Sequence, residues 1–107
     1  MARMDAEKKN YMKIIYRPHL RRRIKEREIP KDYPKKILQE SEKNYRDTIT
    51  GHNISIKRLR YNSKLRNMVI AYDIIGKNRE IVTIYPISES ELRNKLKSGR
   101  WKGYEKN

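Results

Sequence analysis

Three side chains that could hold an anion recur at four-residue spacing: His19, Arg23 and Arg27. On a helix they share one face. An imidazole, with an ordinary pKa of about 6.5, can take up or give away a proton near neutral pH. Guanidiniums beside it can stabilise negative charge as it grows on a phosphate. Like charges at this spacing repel by roughly a few tenths of a kcal/mol per pair, a cost that an anion between them removes. The same spacing also suits a solvated basic helix, to which Arg21 and Arg22 add positive surface.

A second group lies on segments that read as strands. Lys57, Arg58, Arg60, Lys64 and Arg66 flank one expected hairpin, with Tyr61 and Tyr72 interleaved. Aromatic rings beside arginines can stack exposed bases, the usual way single-stranded RNA is read. Against this, Tyr72 suits a core position and the charges could solubilise an edge. Thr83 and Tyr85 alternate on the last long strand and so face the same way. Their hydroxyls could bond a phosphate, although both are also good strand formers.

Metal chemistry has little to stand on. The histidines are His19 and His52, and no Asp/Glu/His cluster has ligand spacing. Asp73 and Glu80 fall on or near adjacent strands, but Ile81 and Val82 follow Glu80, without the lysine of a metal-dependent restriction-type nuclease. There is no glycine-rich phosphate loop. The expectation is no metal and no cofactor.

Charge points the same way as the clusters. Of 107 residues, 28 are Lys or Arg and 13 are Asp or Glu, a formal charge of +15. So much charge on so short a chain implies an anionic partner, most often a phosphate backbone, whose neutralisation releases counterions. A membrane surface is disfavoured, because the cations are not gathered on one amphipathic helix. The absence of cysteine excludes disulfides, thiolate metal sites and a cysteine nucleophile. No apolar run approaches the ~20 residues that span a bilayer. The opening MARMDAEKKN lacks the apolar core of a signal peptide. The expected compartment is the cytoplasm, and the expected organisation is one domain over residues 1–107.

The elements that must position these residues can be read in turn. Residues 1–10 are polar and expected to fray. Met12 to Tyr16 reads as a lead-in strand. Pro18 favours a helix start, His19 to Glu28 continues it, and Ile29-Pro30 ends it. Leu20 and Ile24 would pack on a sheet. Asp32 suits the N-cap of a second helix with Tyr33, Ile37 and Leu38 inward. Strands follow at Asn53 to Tyr61, Arg66 to Ile75 and Glu80 to Tyr85, the last closed by Pro86. Asn62 to Lys64 and Gly76-Lys77-Asn78 read as turns. The run from Met68 to Ile75 is too continuously apolar for an edge and suits a central strand. Ser88 and Glu91 match a capping box for a helix to about Ser98, stopped by Gly99. Two helices, an antiparallel meander and a C-terminal helix make an α+β domain.

The run His19-x3-Arg23-x3-Arg27-x-Ile29, a second helix, and strands ending in Ile81-Val82-Thr83-Ile84-Tyr85-Pro86 resemble small toxin-like domains. These are grouped with the barnase, EndoU, colicin E5/D and RelE-like ribonucleases. The resemblance spans roughly residues 17–86. It implies N-terminal helices packed on an antiparallel sheet. It also implies an RNA-cleaving site of His19, Arg23 and Arg27 from the helix with Thr83 and Tyr85 from the last strand. The resembling domains often carry glycine before the isoleucine, where this chain has Glu28. The basic N-terminal extension and the tail with Trp101 lie outside the resemblance.

Three functions fit these residues. One is a metal-independent endoribonuclease, toxin-like or RNA-processing, with an acidic antitoxin or the ribosome as partner. In it the 2′-hydroxyl attacks the phosphate, and His19 is the general base or acid. Arg23 and Arg27, with a strand residue such as Arg58 or Arg60, would stabilise the charge, and Thr83 or Tyr85 would orient the phosphate. It demands that His19, Arg23 and the last-strand hydroxyls converge on one concave surface. Another is a non-catalytic RNA- or DNA-binding accessory protein, which demands only the charge and predicts a flat basic face. The last is a basic module for an acidic protein target.

Overall fold

A computed structural model describes residues 13–103. The expectation of a frayed segment at residues 1–10 lies outside them. The described residues form an α+β architecture: β1 (Lys13–Tyr16), α1 (Pro18–Glu26), α2 (Tyr33–Glu40), β2 (Lys43–Asp47), β3 (Asn53–Tyr61), β4 (Lys64–Ile75), β5 (Asn78–Ile87), α3 (Glu89–Lys97) and β6 (Trp101–Gly103). The strands join in one sheet of order β1-β5-β4-β3-β2-β6.

The apolar run of β4 does form the centre. Met68, Ile70 and Tyr72 face one side and Val69 and Ala71 the other, all at most 6% exposed. A strand buried on both faces needs cover on both. On the first face α1 contributes Leu20 and Ile24, and α2 contributes Ile37 and Leu38. On the second, Leu92 of α3 and Trp101 of β6 pack with Ile54, Ile56 and Ile87. The N-terminal helices and the C-terminal helix are therefore on opposite faces of the sheet.

Several expectations are corrected. The sheet is mixed, because β1 pairs in parallel with β5, Tyr16 opposite Ile81. Two short strands were not foreseen: β2, and β6, which pairs with it. Trp101 is thus a core residue, not part of a tail. β5 runs through Pro86, which lies opposite Met68. β1 covers β5 only to Ile81, so Pro86 sits where the outer side of the strand is open, a position that tolerates a missing N–H. A bulge beside Ala71/Tyr72 inserts Val82, which lets Ile81 and Ile84 both face the first core although they are three residues apart. Asp32 precedes α2 but makes no side-chain cap. The Ser88–Glu91 capping box is formed in both directions.

α1 ends at Glu26, earlier than the Ile29-Pro30 signal suggests, and the exit is a left-handed turn. The amide of Ile29 bonds the carbonyl of Ile24 at 3.0 Å, with Glu28 at φ 53°. This geometry is normally given to glycine, because a Cβ costs roughly 1–2 kcal/mol there. Glycine loses about 0.5–1 kcal/mol more entropy on folding. Glu28→Gly is therefore expected to raise stability by about 0.5 kcal/mol, read as an upward shift of the urea midpoint at unchanged slope. A lowered midpoint would show that the glutamate side chain supports the turn.

Candidate functional site

α1 turns its charged face to solvent. His19 and Arg27 are exposed and Arg23 is half-buried. Nη2 of Arg23 lies 3.1 Å from Nε2 of His19. A guanidinium only donates, so the imidazole nitrogen accepts. No carboxylate or hydroxyl among the described residues bonds His19. Arg21 donates from Nε to the Tyr16 carbonyl at 3.2 Å, and Arg22 is exposed.

The convergence demanded of His19, Arg23, Thr83 and Tyr85 does not occur. Thr83 lies opposite Ala71 and Tyr85 opposite Val69, so both belong to the second face, under α3. The physical reason is the pleat: the residues that bury against α1 are Ile81 and Ile84, and the bulge assigns their neighbours to the other side. Burial raises the Tyr85 phenol above its ordinary value, and the nearby Asp47 charge adds to this.

The strand cations are likewise divided. Arg58 and Arg60 share the second face with Ile54 and Ile56, whereas Lys57 lies on the first and reaches Glu40 and Glu42 of the α2 exit, at 3.7 and 3.6 Å. Arg66 donates to the Tyr61 carbonyl at 2.9 Å, and Lys64 is exposed. Neither tyrosine is a free stacking platform. Tyr72 is 3% exposed in the core. Tyr61 packs against that core and donates its hydroxyl to the Arg27 carbonyl at 2.9 Å.

The second face holds a constellation that the spacing of residues gave no sign of. His52, just before β3, places Nδ1 2.6 Å from Oδ1 of Asp73. The other oxygen of Asp73 accepts from Arg17 at 2.9 Å, and Arg17 also donates to Glu80 at 3.0 Å. Burial alone would raise the Asp73 pKa, but the hydrogen bond and charge of His52, then those of Arg17, hold it below its ordinary value. A carboxylate accepts only, so Nδ1 of His52 carries the proton. Nε2 of His52 has no partner among the described residues. Thr83 is one pleat repeat from Asp73, about 7 Å along the strand, and Tyr85 is two, about 13 Å. Only Thr83 is near this pair.

Beside it, Asp47 is 5% exposed and fully engaged. It accepts from the amides of Ile49 and Thr50, from Nε of Arg100 and from Nε1 of Trp101, all within 3.1 Å. Burial would raise its pKa, but these donors outweigh it, Arg100 foremost, and hold the carboxylate far below its usual range.

The remaining feature is unneutralised charge. Arg22, Lys25, Arg27, Lys31, Lys35 and Lys36, all on the layer formed by α1, α2 and their connection, make no ion pair among the described residues. Between residues 18 and 40 there are eight Lys or Arg against four Asp or Glu, one of which, Glu40, is drawn to Lys57. No helix among the described residues is long and apolar enough to cross a membrane. No protein-family model, curated protein or solved structure matches the chain.

Proposed function

We propose that the protein binds nucleic acid through phosphate contacts made by the α1–α2 layer. The observation that carries this reading is the set of six cations there that make no ion pair with a carboxylate among the described residues. Gathering so many like charges in one layer costs self-repulsion, which a polyanion removes while releasing its counterions. RNA is favoured over DNA by the resemblance to the RelE/barnase-like grouping. The test is a titration of labelled single-stranded RNA, duplex RNA and duplex DNA. Absence of binding to all three at low salt overturns the reading.

A second reading, metal-independent RNA cleavage, is favoured by the contact between His52 and Asp73 rather than by His19. RNA carries its own nucleophile in the 2′-hydroxyl. A histidine held at Nδ1 by a carboxylate keeps Nε2 for proton transfer. Incubation of the protein with labelled RNA in EDTA is expected to give ends with 2′,3′-cyclic phosphate. These are lost in His52→Ala and retained in His19→Ala. Cleavage lost only in His19→Ala would return the site to α1, and binding without cleavage by the native chain leaves the first reading alone.

A further inference from the structure

β1 forms one edge of the sheet, and its outer side runs beside α1 and the start of α2. A groove of about 850 Å³ opens there. Lys13, Arg21, Lys31 and Lys35 line it and are exposed, and no acidic side chain lines it among the described residues. Its floor is apolar, formed by Ile14, Ile24 and the ring of Tyr16. The lysines make no ion pair among the described residues.

The groove is built rather than incidental. The Tyr16 hydroxyl donates to the Lys31 carbonyl at 2.7 Å and accepts from the Lys35 amide at 3.2 Å. One side chain thus ties the edge strand to the connection and to the second helix, which fixes the segments that carry Lys13, Lys31 and Lys35 against one another. Burial raises the Tyr16 phenol above its ordinary value, so it stays a neutral hydroxyl able to do both. Asp32 is close enough to add to that rise but is not in the lining. Arg21 is held at Nε by the Tyr16 carbonyl, which leaves its outer nitrogens for an anion.

We infer that this groove is a track for one single strand of nucleic acid, its phosphates on Lys13, Arg21, Lys31 and Lys35 and its bases on the apolar floor. The choice of a single strand rests on the floor. Cations alone accept any phosphate, but apolar side chains in the same groove as the cations are useful only to a ligand whose bases are unstacked and exposed. A duplex keeps its bases inside. The inference rests on the proposed nucleic-acid binding and names the form of ligand and the place.

The test is lysine acetylation of the full chain with and without a labelled single-stranded RNA, read residue by residue. RNA is expected to protect Lys13, Lys31 and Lys35 several-fold more than Lys43, Lys97 and Lys102, which lie on other elements. Lys13→Gln/Lys31→Gln/Lys35→Gln is expected to flatten the slope of log affinity against log salt by about 2, at ~0.7 per lost phosphate contact. Lys43→Gln/Lys97→Gln/Lys102→Gln should flatten it far less. Equal protection of both lysine sets, or equal loss in both variants, overturns the groove while leaving nucleic-acid binding intact. A native chain that binds no RNA removes the functional reading itself. A nucleoside monophosphate that protects the groove as well as the strand does would make it a small-anion site and overturn the track.

Discussion

Raising salt from about 50 to about 200 mM is expected to weaken binding of single-stranded RNA roughly 300-fold. Six cations of the α1–α2 layer, Lys31 and Lys35 of the groove among them, make no ion pair among the described residues. Each phosphate they neutralise contributes about −0.7 to the slope of log affinity against log salt for a single strand, so six give about −4. A fourfold change in salt then spans about two and a half decades. Fluorescence anisotropy over a salt series measures the slope directly. A slope near −1 with unchanged affinity would mean that few phosphates are engaged. It would favour a partner recognised by apolar or hydrogen-bonded contacts, such as an acidic protein. The division of the strand cations between two faces enters the estimate: had Lys57, Arg58, Arg60 and Arg66 shared the surface of α1, the expected slope would be steeper. Lys57 is instead drawn to Glu40 and Glu42.

The second large effect concerns Asp47. Asp47→Ala is expected to lower stability by about 3 kcal/mol, which at ~4–8 °C per kcal/mol is a fall in Tm of well over 10 °C. The carboxylate closes the turn after β2 through the amides of Ile49 and Thr50, and anchors β6 through Arg100 and Trp101. Truncation leaves the indole N–H of Trp101, 2% exposed, without its acceptor. It also frees β6, whose three residues, among the described residues, pair only with β2. Asp47→Asn keeps one acceptor oxygen and should cost less. If Asp47→Ala unfolds at the native midpoint, β6 is not held by this carboxylate.

The same residue sets the acid limit. A carboxyl whose folded pKa lies below its unfolded value contributes stability that is present above the unfolded pKa, and is lost as pH falls through the folded one. Asp47 and Asp73 are both lowered from 3.8. Stability should therefore hold down to about pH 4 and decline below it, with a shallower decline in the Asp47 variants. A protein equally stable at pH 2 and pH 6 would show that neither carboxylate is held in this way.

Much of the fold follows from local rules that the chain states openly. The continuous apolar run of β4 had to be central, because no water-facing strand can afford it on both sides. Ser88 and Glu91 had to cap α3, since their side chains complete each other's backbone bonds. Leu20 and Ile24, one turn apart, had to pack inward, which set the face of α1 that carries His19, Arg23 and Arg27. The net charge and its demand for an anionic partner are properties of composition and owe nothing to folding. A local signal passed over in the sequence is Asp47-Thr48-Ile49-Thr50-Gly51, where the aspartate accepts from the amides two and three residues on.

What only the tertiary structure decided are relations between segments distant along the chain. Nothing local says that β1 adds in parallel beside β5, because that pairing joins residues over 60 positions apart. Without it there is no edge for Tyr16 to tie to α2 and no groove. Nothing local says that Asp73 meets both His52 and Arg17, since the spacing of charges reveals proximity only within one element. The face of Thr83 and Tyr85 was decided by one inserted residue, Val82. A pleat has a period of two, so a single bulge reverses which neighbours share a side, and here it set the last-strand hydroxyls across the sheet from His19.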